Sequence, residues 1–382
     1  MEWKEDVLGN VLEVKYGKDH KKLADGQYPV YGSGGLMRYV DSKLYDGPSI
    51  LIPRKGTLNN IMFVESPFWT VDTMFWSIIN TDKVDPKFLF YSICKRDFAS
   101  MNVGSAVPSM TVNILNDIQI SYPKNIADQR RIASILSSLD RKIELNNKIN
   151  ADLEEMAQAI FKNWFVDFEP FKDGKFVDSE LGMIPEGWKV GRADDFYQIN
   201  IGKTPPRKEH KWFSTNPADK IWVSIANMGN SGIFISDSSE YLTKEAVDRH
   251  NIIMVPRNTI LLSFKLTVGR VAIADKELTT NEAIARFILS DDKYMEYLYL
   301  YLKNFDYNSL GSTSSIATAV NSKTIKGMQM LQPSDKIIDA FHIQVNPIFE
   351  KIRSLTKESS RLSLLRDTLL PRLMSGELEV PE

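Results

Sequence analysis

The chain is written twice, and that duplication constrains its fold more than any single motif. Trp3-Lys4 is followed, fourteen residues after the tryptophan, by Gly17-Lys18; Trp188-Lys189 is followed at the same spacing by Gly202-Lys203-Thr204. Further pairs keep the order. Ile50-Leu51-Ile52-Pro53-Arg54 answers Ile252-Ile253-Met254-Val255-Pro256-Arg257, and Thr70-Val71-Asp72-Thr73 answers Thr280-Asn281-Glu282-Ala283. Phe88-Leu89-Phe90-Tyr91 parallels the aromatic run from Tyr294 to Tyr301, and Gly104-Ser105 parallels Gly311-Ser312. Ile118 to Pro123 matches Met328 to Pro333, so each copy closes on a proline. A shared order sustained over about 125 to 145 residues is the mark of an internal repeat.

Composition bounds the rest. With 43% hydrophobic and 25% charged residues, the 382-residue chain is ordinary globular material. It is long enough for two or three domains at the usual ~100–200 residues each. The single Cys94 excludes a disulfide framework and a zinc site built on cysteines, and the four histidines stand singly. A net charge of −2 speaks against binding nucleic acid through a bulk basic field. Met-Glu-Trp-Lys-Glu-Asp is too polar for a signal sequence and no apolar run approaches 18 residues, so a cytoplasmic protein with no membrane association is expected.

After each closing proline the pattern becomes helical. Residues 126–166 hold no Pro or Gly, and a heptad register places Ile132, Leu139, Asn146, Leu153 and Ile160 on one seam position. Ile135, Lys142, Ile149, Met156 and Asn163 take the other, with Asn146 as a register-setting polar residue. The second copy gives Phe341, Ile348, Leu355, Leu362 and Leu369, flanked by Val345, Ile352 and Leu365; Pro347 is expected to kink or restart that helix, and Pro371 lies near its end. A helix of about 40 residues is roughly 60 Å long. Its apolar stripe needs a partner, and the other copy is the simplest one; packing on its own domain is the alternative.

Between the helices the chain reads as short strands and turns. Val30–Gly32, Ser49–Ile52, Asn60–Val64 and Met74–Ile79 serve in copy one; Ile221–Ser224, Thr259–Phe264, Val268–Ile273 and Ala285–Leu289 serve in copy two. Phe88–Phe98 and Tyr294–Phe305 read as short helices, and Asp167–Gly187 as a Pro/Gly-rich linker. The organisation expected is α+β: a globular unit at 1–124, a long helix at 125–168, a linker at 169–187, a second globular unit at 188–333, a second long helix at 334–376 and a tail at 377–382.

Catalytic signatures are missing. Gly202-Lys203-Thr204 resembles the tail of a phosphate-binding loop, but Tyr197 occupies the position of its first glycine. No dinucleotide-binding Gly-x-Gly-x-x-Gly follows a strand, no Gly-x-Ser-x-Gly elbow occurs, and Asn216-Pro217-Ala218-Asp219 reads as a turn rather than an adenine-methyltransferase motif. Cys94, in an aromatic segment, reads as a buried structural thiol. No cofactor or metal is expected on this chain. Two copies without a catalytic constellation suggest a reader.

The loops indicate what is read. In copy one, Lys18, Tyr31, Ser33, Arg38, Arg54, Lys55, Thr57 and Asn59 lie in segments rich in Gly, Lys, Arg, Asn and Ser. Copy two supplies Lys203, Thr204, Arg207, Lys208, Lys211, Trp212, Asn227, Asn230, Lys265, Thr267 and Arg270, then Ser312 and Ser314. Arg and Lys reach the acceptors of guanine and Asn those of adenine, while hydroxyls and amides fix register on phosphates. The competing reading of any one loop is a solvated turn.

At this point the chain resembles a known family. Two divergent globular domains, each followed by a long helix, look like the specificity subunit of Type I restriction-modification systems. The resemblance is carried by Asp128-Gln129-Arg130-Arg131-Ile132-Ala133 to Ile143-Glu144, by Gly182-Met183-Ile184-Pro185-Glu186-Gly187-Trp188, and by Leu362-x-x-Leu365-Arg366-x-x-Leu369-Leu370-Pro371-x-Leu373-x-x-Gly376-x-Leu378. It covers essentially the whole chain and implies two pseudo-symmetric target recognition domains separated by two long antiparallel helices that form a coiled coil. It implies double-stranded DNA as the partner, read as a split site. Modification subunits using S-adenosylmethionine and restriction subunits using ATP and Mg would supply the catalysis, adenine methylation or cleavage. On this reading Phe161, Trp164, Phe165, Leu369, Leu370 and Leu373 are candidates for partner contact, with an intramolecular core as the alternative. The near-neutral charge then implies weak DNA binding by the chain alone, with partners supplying much of the phosphate grip. The alternative function is an enzyme in its own right, a methyltransferase or nuclease with degenerate motifs; a scaffold without a nucleic-acid role is a third.

Overall fold

The computed structural model describes residues 1–102, 108–310 and 320–380, apart from the side chain of Asn230. The chain divides into two compact units, Met1–Glu144 with Ser360–Glu382, and Leu145–Ser359. Each unit therefore takes its own globular copy together with segments of both long helices.

The first unit runs β1 (Trp3–Val7), β2 (Leu12–Tyr16), β3 (Tyr28–Gly32), β4 (Gly35–Val40), β5 (Ser49–Pro53), β6 (Met62–Val64), β7 (Trp69–Thr70), β8 (Met74–Ile79), α1 (Pro86–Ile93), α2 (Val112–Asn116) and β9 (Gln119–Pro123), then enters α3 (Ile126–Phe165). An antiparallel sheet has the order β2-β8-β5-β6, and a second has the order β4-β3-β7, in which β3 and β7 run parallel. The β1–β9 ribbon joins the start of the copy to its closing proline, with Trp3 opposite Pro123. Helix α1 starts where Pro86 follows Asp85, whose carboxylate accepts from the Lys87 and Phe88 amides.

The second unit repeats this plan. It contains β10 (Phe176–Val177), β11 (Ile184–Pro185), β12 (Lys189–Arg192), α4 (Ala193–Phe196), β13 (Gln198–Ile201), β14 (Phe213–Ser214), β15 (Lys220–Val223), α5 (Ile225–Asn230), β16 (Phe234–Ile235), β17 (Tyr241–Leu242) and α6 (Lys244–Arg249). There follow β18 (Ile260–Ser263), β19 (Val271–Ala274), β20 (Thr279–Thr280), β21 (Ile284–Ile288), α7 (Met295–Asn304), α8 (Ser322–Lys326), β22 (Gln329–Gln332) and α9 (Asp335–Met374). Its sheets are β13-β21-β18-β19-β16 and β14-β17-β15-β20, and the β12–β22 ribbon corresponds to β1–β9. The parallel pairing of β15 with β20 repeats that of β3 with β7.

Backbone hydrogen bonds put the repeat in register. Leu8 N donates to Ile118 O and Ala193 N to Met328 O, both at 2.8 Å. Lys18 N donates to Thr70 O and Lys203 N to Thr280 O, both at 2.9 Å. Arg54 N donates to Thr73 O at 2.8 Å and Phe264 N to Ala283 O at 2.9 Å. This last pair corrects the sequence register locally. The counterpart of Pro53-Arg54 is Ser263-Phe264, because β18 is the strand that pairs with β21; Pro256-Arg257 lies before it. The strands expected at Asn60–Val64 and Val268–Ile273 begin later, at Met62 and Val271, and the expected linker holds the two-stranded β10–β11.

The long helices pair antiparallel. In the second unit Asn146 Nδ2 donates to Glu358 Oε2 at 2.9 Å and to Ser359 Oγ at 3.3 Å, while Asn150 Nδ2 meets Thr356 Oγ1 at 3.3 Å. Asn146 is fully buried, as a polar seam residue that fixes register should be. In the first unit Ile132, Ala133 and Leu136 share a core with Leu370 and Leu373.

Two expectations about these helices fail. Met156 and Leu365 are 55% and 46% exposed. Where α3 meets the second domain its buried face is Ala157, Phe161 and Phe165, a spacing of four that follows the domain surface instead of the heptad. Of the kink or restart expected at Pro347, the restart does not occur, since α9 runs unbroken from Asp335 to Met374. The carbonyl that Pro347 leaves without an amide donor belongs to Ile343, and both residues are exposed, so water can satisfy it.

Candidate nucleic-acid interface

The chemistry-bearing loops sit on a scaffold that the repeat explains. At Gly17 a Cβ would come within 2.0 Å of Val71 O, and at Gly202 within 1.9 Å of Asn281 O, so the Gly-Lys pairs mark a close backbone crossing and not a phosphate loop. The Lys18 carbonyl then accepts from the Trp69 indole at 2.9 Å, and the Lys203 carbonyl from the Trp222 indole at 3.3 Å. Both crossings leave a lysine side chain exposed at the same place.

From this crossing two loops converge in each unit. In the first, Asn60 Nδ2 donates to Ser33 O at 2.8 Å, tying the 54–60 loop to the β3–β4 turn. In the second, Arg270 Nη1 donates to Ile225 O at 2.8 Å, tying the 264–270 turn to α5. Ser33 lies two residues after Tyr31 and Ile225 two after Val223, and Tyr31 O and Val223 O accept from the equivalent amides of Val71 and Asn281. The same carbonyl is thus used in both copies by donors of different chemistry.

The predicted site residues separate into two groups. Lys18, Lys55, Lys208 and Lys265 are exposed and make no ion pair among the described residues; Thr57 and Thr267 are exposed beside them. Ser33 is half-buried at the loop junction, and Arg54 lies over the exposed Tyr16 ring at 5.7 Å. Tyr31 is half-buried, and burial raises its hydroxyl above the usual tyrosine range.

Others are spent on the protein itself. Arg38 bonds Leu23 O and Asp25 at 2.9 and 3.0 Å. Asn59 clips the Ala99 amide and Asp97. Lys203 Nζ donates to His250 O at 2.6 Å, and Thr204 bonds Glu282. Arg207 makes a two-pronged ion pair with Glu240 while stacking on Phe213 and Trp222. Lys211 lies over Trp212 at 4.3 Å and faces Glu209. Trp212 is 1% exposed in a small core with Trp222 and Leu242, so it offers no stacking face to a base. Asn227 is consumed as a capping residue, its Oδ1 accepting from the Ser224 amide and hydroxyl. Ser312, Ser314 and the Asn230 side chain lie outside the described residues.

Packing bears on the partner-contact candidates, for which an intramolecular core is the alternative. Phe161 and Phe165 are buried against Tyr297 and Phe341, with Trp164 partly buried beside them. Leu370 and Leu373 are buried in the first unit's core, with Leu369 against it. Phe161, Phe165, Leu370 and Leu373 thus serve as core within the units, while Trp164 and Leu369 keep part of their surface exposed.

The family model for the Type I restriction modification DNA specificity domain matches residues 1–155 and again 185–342. The chain belongs to the Type I specificity family. It is 29% identical to the MjaIX specificity subunit of Methanocaldococcus jannaschii, across 95% of this chain and 86% of that one. It is 28% identical to the HindI specificity subunit of Haemophilus influenzae, across 83% of each. A solved S subunit from M. genitalium shares the fold, with a TM-score of 0.61 at 14% identity over 98% of this chain and 96% of that one. As a Type I specificity subunit the protein is a DNA sequence-recognition subunit with two target recognition domains, of a family that is not catalytic. No helix among the described residues is long and apolar enough to cross a membrane.

Reading the sequence of this specificity subunit overlooked a second repeated device. Tyr91 OH donates to Asp140 at 2.5 Å and Lys95 pairs with Asp367 at 3.2 Å, anchoring α1 to both long helices. Tyr299 OH donates to Glu154 at 2.9 Å and Lys303 faces the same carboxylate at 3.5 Å, anchoring α7. The signal was a tyrosine four residues before a lysine in both copies, within α7 and running from α1 into the turn that follows it. Cys94, between Tyr91 and Lys95, is half-buried and burial pushes its thiol up to about 11, which marks it as structural.

Proposed function

We propose that each target recognition domain reads one half of a bipartite double-stranded DNA site through its pair of converging loops. The two 40-residue helices set the gap between the halves. Modification subunits using S-adenosylmethionine, and restriction subunits using ATP and Mg, carry out adenine methylation or cleavage at the site so chosen, in the cytoplasm. The observation that carries this reading is the loop junction: two copies hold equivalent loops together at the same carbonyl, yet line them with different side chains. A conserved frame with divergent loops is what two readers of different sequences need. The exposed lysines fit phosphate contact or guanine, and a net charge of −2 fits a reader that relies on partners for phosphate grip.

The test is selection from a random-sequence duplex library by the complex of this chain with its modification subunits. Two short conserved blocks at a fixed gap are expected; a single contiguous site, or none, overturns the reading. Inserting four residues after Lys148 and at the matching point near Lys357 should lengthen the gap, since four residues of helix add about 6 Å. An unchanged gap in an intact complex would show that the helices do not set it.

A further inference from the structure

One residue of the second domain is held in a backbone conformation that suits it badly and touches nothing that would explain it. Among the described residues four non-glycines have positive φ: Phe168, Asn251, Asn258 and Leu266. Asparagine tolerates this region through local hydrogen bonds, and Phe168 packs edge-on against Trp188 and Phe176 at 5.6 and 5.9 Å. Leu266, at φ 62°, is 99% exposed. A bulky apolar side chain in the left-handed region with no intramolecular contact points to a role outside the chain.

The turn around it is built to present it. Thr267 N donates to Lys265 O at 2.7 Å, closing a three-residue turn with Leu266 at its centre. Behind that turn Ser263 Oγ donates to Thr267 O at 2.6 Å, and Gly269 N donates to Ser263 O at 3.0 Å. Arg270, two residues beyond Val268, carries the bond to Ile225 O that joins the two loops. The tip is thus fixed from below, and Phe264 to Arg270 contains no acidic residue.

The first copy shows what this position normally holds. Since Arg54 and Phe264 are equivalent, Lys55-Gly56-Thr57 corresponds to Lys265-Leu266-Thr267, and Gly56 has φ 90°. Both copies keep a positive φ at this position and its flanking lysine and threonine. Only the second replaces the glycine that the backbone favours with a leucine.

We propose that Leu266 is a base-contacting residue of the second target recognition domain, an apolar tip carried into a groove of its half-site between the Lys265 and Thr267 side chains. Leucine can pack on a thymine methyl in the major groove or wedge against an opened base step in the minor groove; the shared chemistry is apolar contact with bases. The proposal rests on the reading that the converging loops face DNA, and assigns one residue's role within it.

The experiment uses the complex with modification subunits and the random duplex library, comparing the native chain with Leu266→Gly, which suits the turn as Gly56 does. Expected is a thermal midpoint that is not lowered, an unchanged first block, loss of base preference at one or two pairs of the second block, and roughly tenfold weaker binding to the native site. Thymine-to-uracil replacement at those pairs, and 2-aminopurine fluorescence beside them, then show which contact Leu266 makes: either signal must disappear in Leu266→Gly. Unchanged preferences in both blocks overturn the proposal, as does a weakening spread evenly over all sequences. If the native chain itself selects no bipartite site, it is the broader reading that fails.

Discussion

In the first copy the Tyr16 carbonyl accepts from the Trp76 indole at 3.0 Å; in the second, the carbonyl at the same backbone position, Ile201, accepts from the Arg286 guanidinium at 2.8 Å. The Ser33 carbonyl takes an asparagine donor and its counterpart Ile225 an arginine. The carbonyls of Lys18 and Lys203 both take tryptophan indoles, but from different strands, β7 and β15. The backbone path decides where an unpaired carbonyl would be left, and leaving one buried costs about 1–3 kcal/mol. Any donor that reaches it will serve. The copies therefore keep their acceptors and exchange their donors, which lets the side chains around the loops diverge without altering the frame.

The joints between domain and helix show the same freedom taken further. In the first unit Gln129 is fully buried on α3; its Oε1 accepts from Asp85 N at 2.7 Å, and its Nε2 donates to Pro123 O and Lys83 O at 2.8 and 3.2 Å. The buried part of this joint is made by neutral groups, with the Arg130–Asp85 ion pair at 3.7 Å on its more exposed side. In the second unit Asp275, buried at the end of β19, faces Lys357, Arg353 and Arg257 at 3.1, 3.3 and 3.5 Å. Arg353 also donates to Asn258 Oδ1 at 2.8 Å and lies over Phe234 at 4.4 Å. That joint is ionic, and removing one member strands buried charge.

The largest effect should therefore come from Asp275→Asn, which removes the buried carboxylate facing the 4%-exposed Arg353 and leaves it only the half-exposed Glu350 at 3.1 Å. Loss of one partner from a buried pair costs about 3–5 kcal/mol. Hydrogen exchange should rise in the peptides around 258–275 and 349–357, with the first unit unchanged. Replacing Asp275 and Arg353 together by leucine and methionine should recover much of the loss. If Asp275→Asn is neutral, the ionic joint is ornamental and the contrast between the units collapses. The neutral joint should be less sensitive. Gln129→Leu leaves one amide and two carbonyls short of a partner, an expected loss of about 3 kcal/mol at the low end of about 1–3 kcal/mol per group, read by chemical denaturation, with faster exchange confined to the first unit.

How much of this was legible depends on what a residue type commits to. The duplication was visible because glycines at crossings too close for any side chain, and the apolar strands that close each copy, are dictated by the backbone. The helices were visible from periodicity, although their ends follow the domains and not the heptad. The loops were legible as loops, but not the fates of their residues. Arg38 and Arg207 read as free cations because their carboxylates, Asp25 and Glu240, lie far along the chain. Trp212 looks the same in sequence whether it stacks on a base or fills a core. Asn60, which joins the two loops of the first unit, reads as one more polar turn residue. The match of Pro256-Arg257 to Pro53-Arg54 misled because three or four apolar residues before a proline recur by chance, whereas strand pairing does not.

The smallest effect tests the turn that the copies share. Gly56→Leu places in the first copy what the second already holds at Leu266. A non-glycine in the left-handed region costs about 1–2 kcal/mol, and a Cβ on residue 56 would approach Ser33 Oγ to 3.0 Å. Against this, the side chain restricts the unfolded chain, which returns about 0.4–1 kcal/mol. The net loss expected is about 1 kcal/mol, measured as a lower denaturation midpoint of the first unit. By the same balance Leu266→Gly should stabilise the second unit slightly, by up to about 1 kcal/mol, because relief of the turn outweighs the freedom returned to the unfolded chain. If Gly56→Leu instead stabilises the first unit, the two turns are not equivalent, and Leu266 needs no contact outside the chain to account for its conformation.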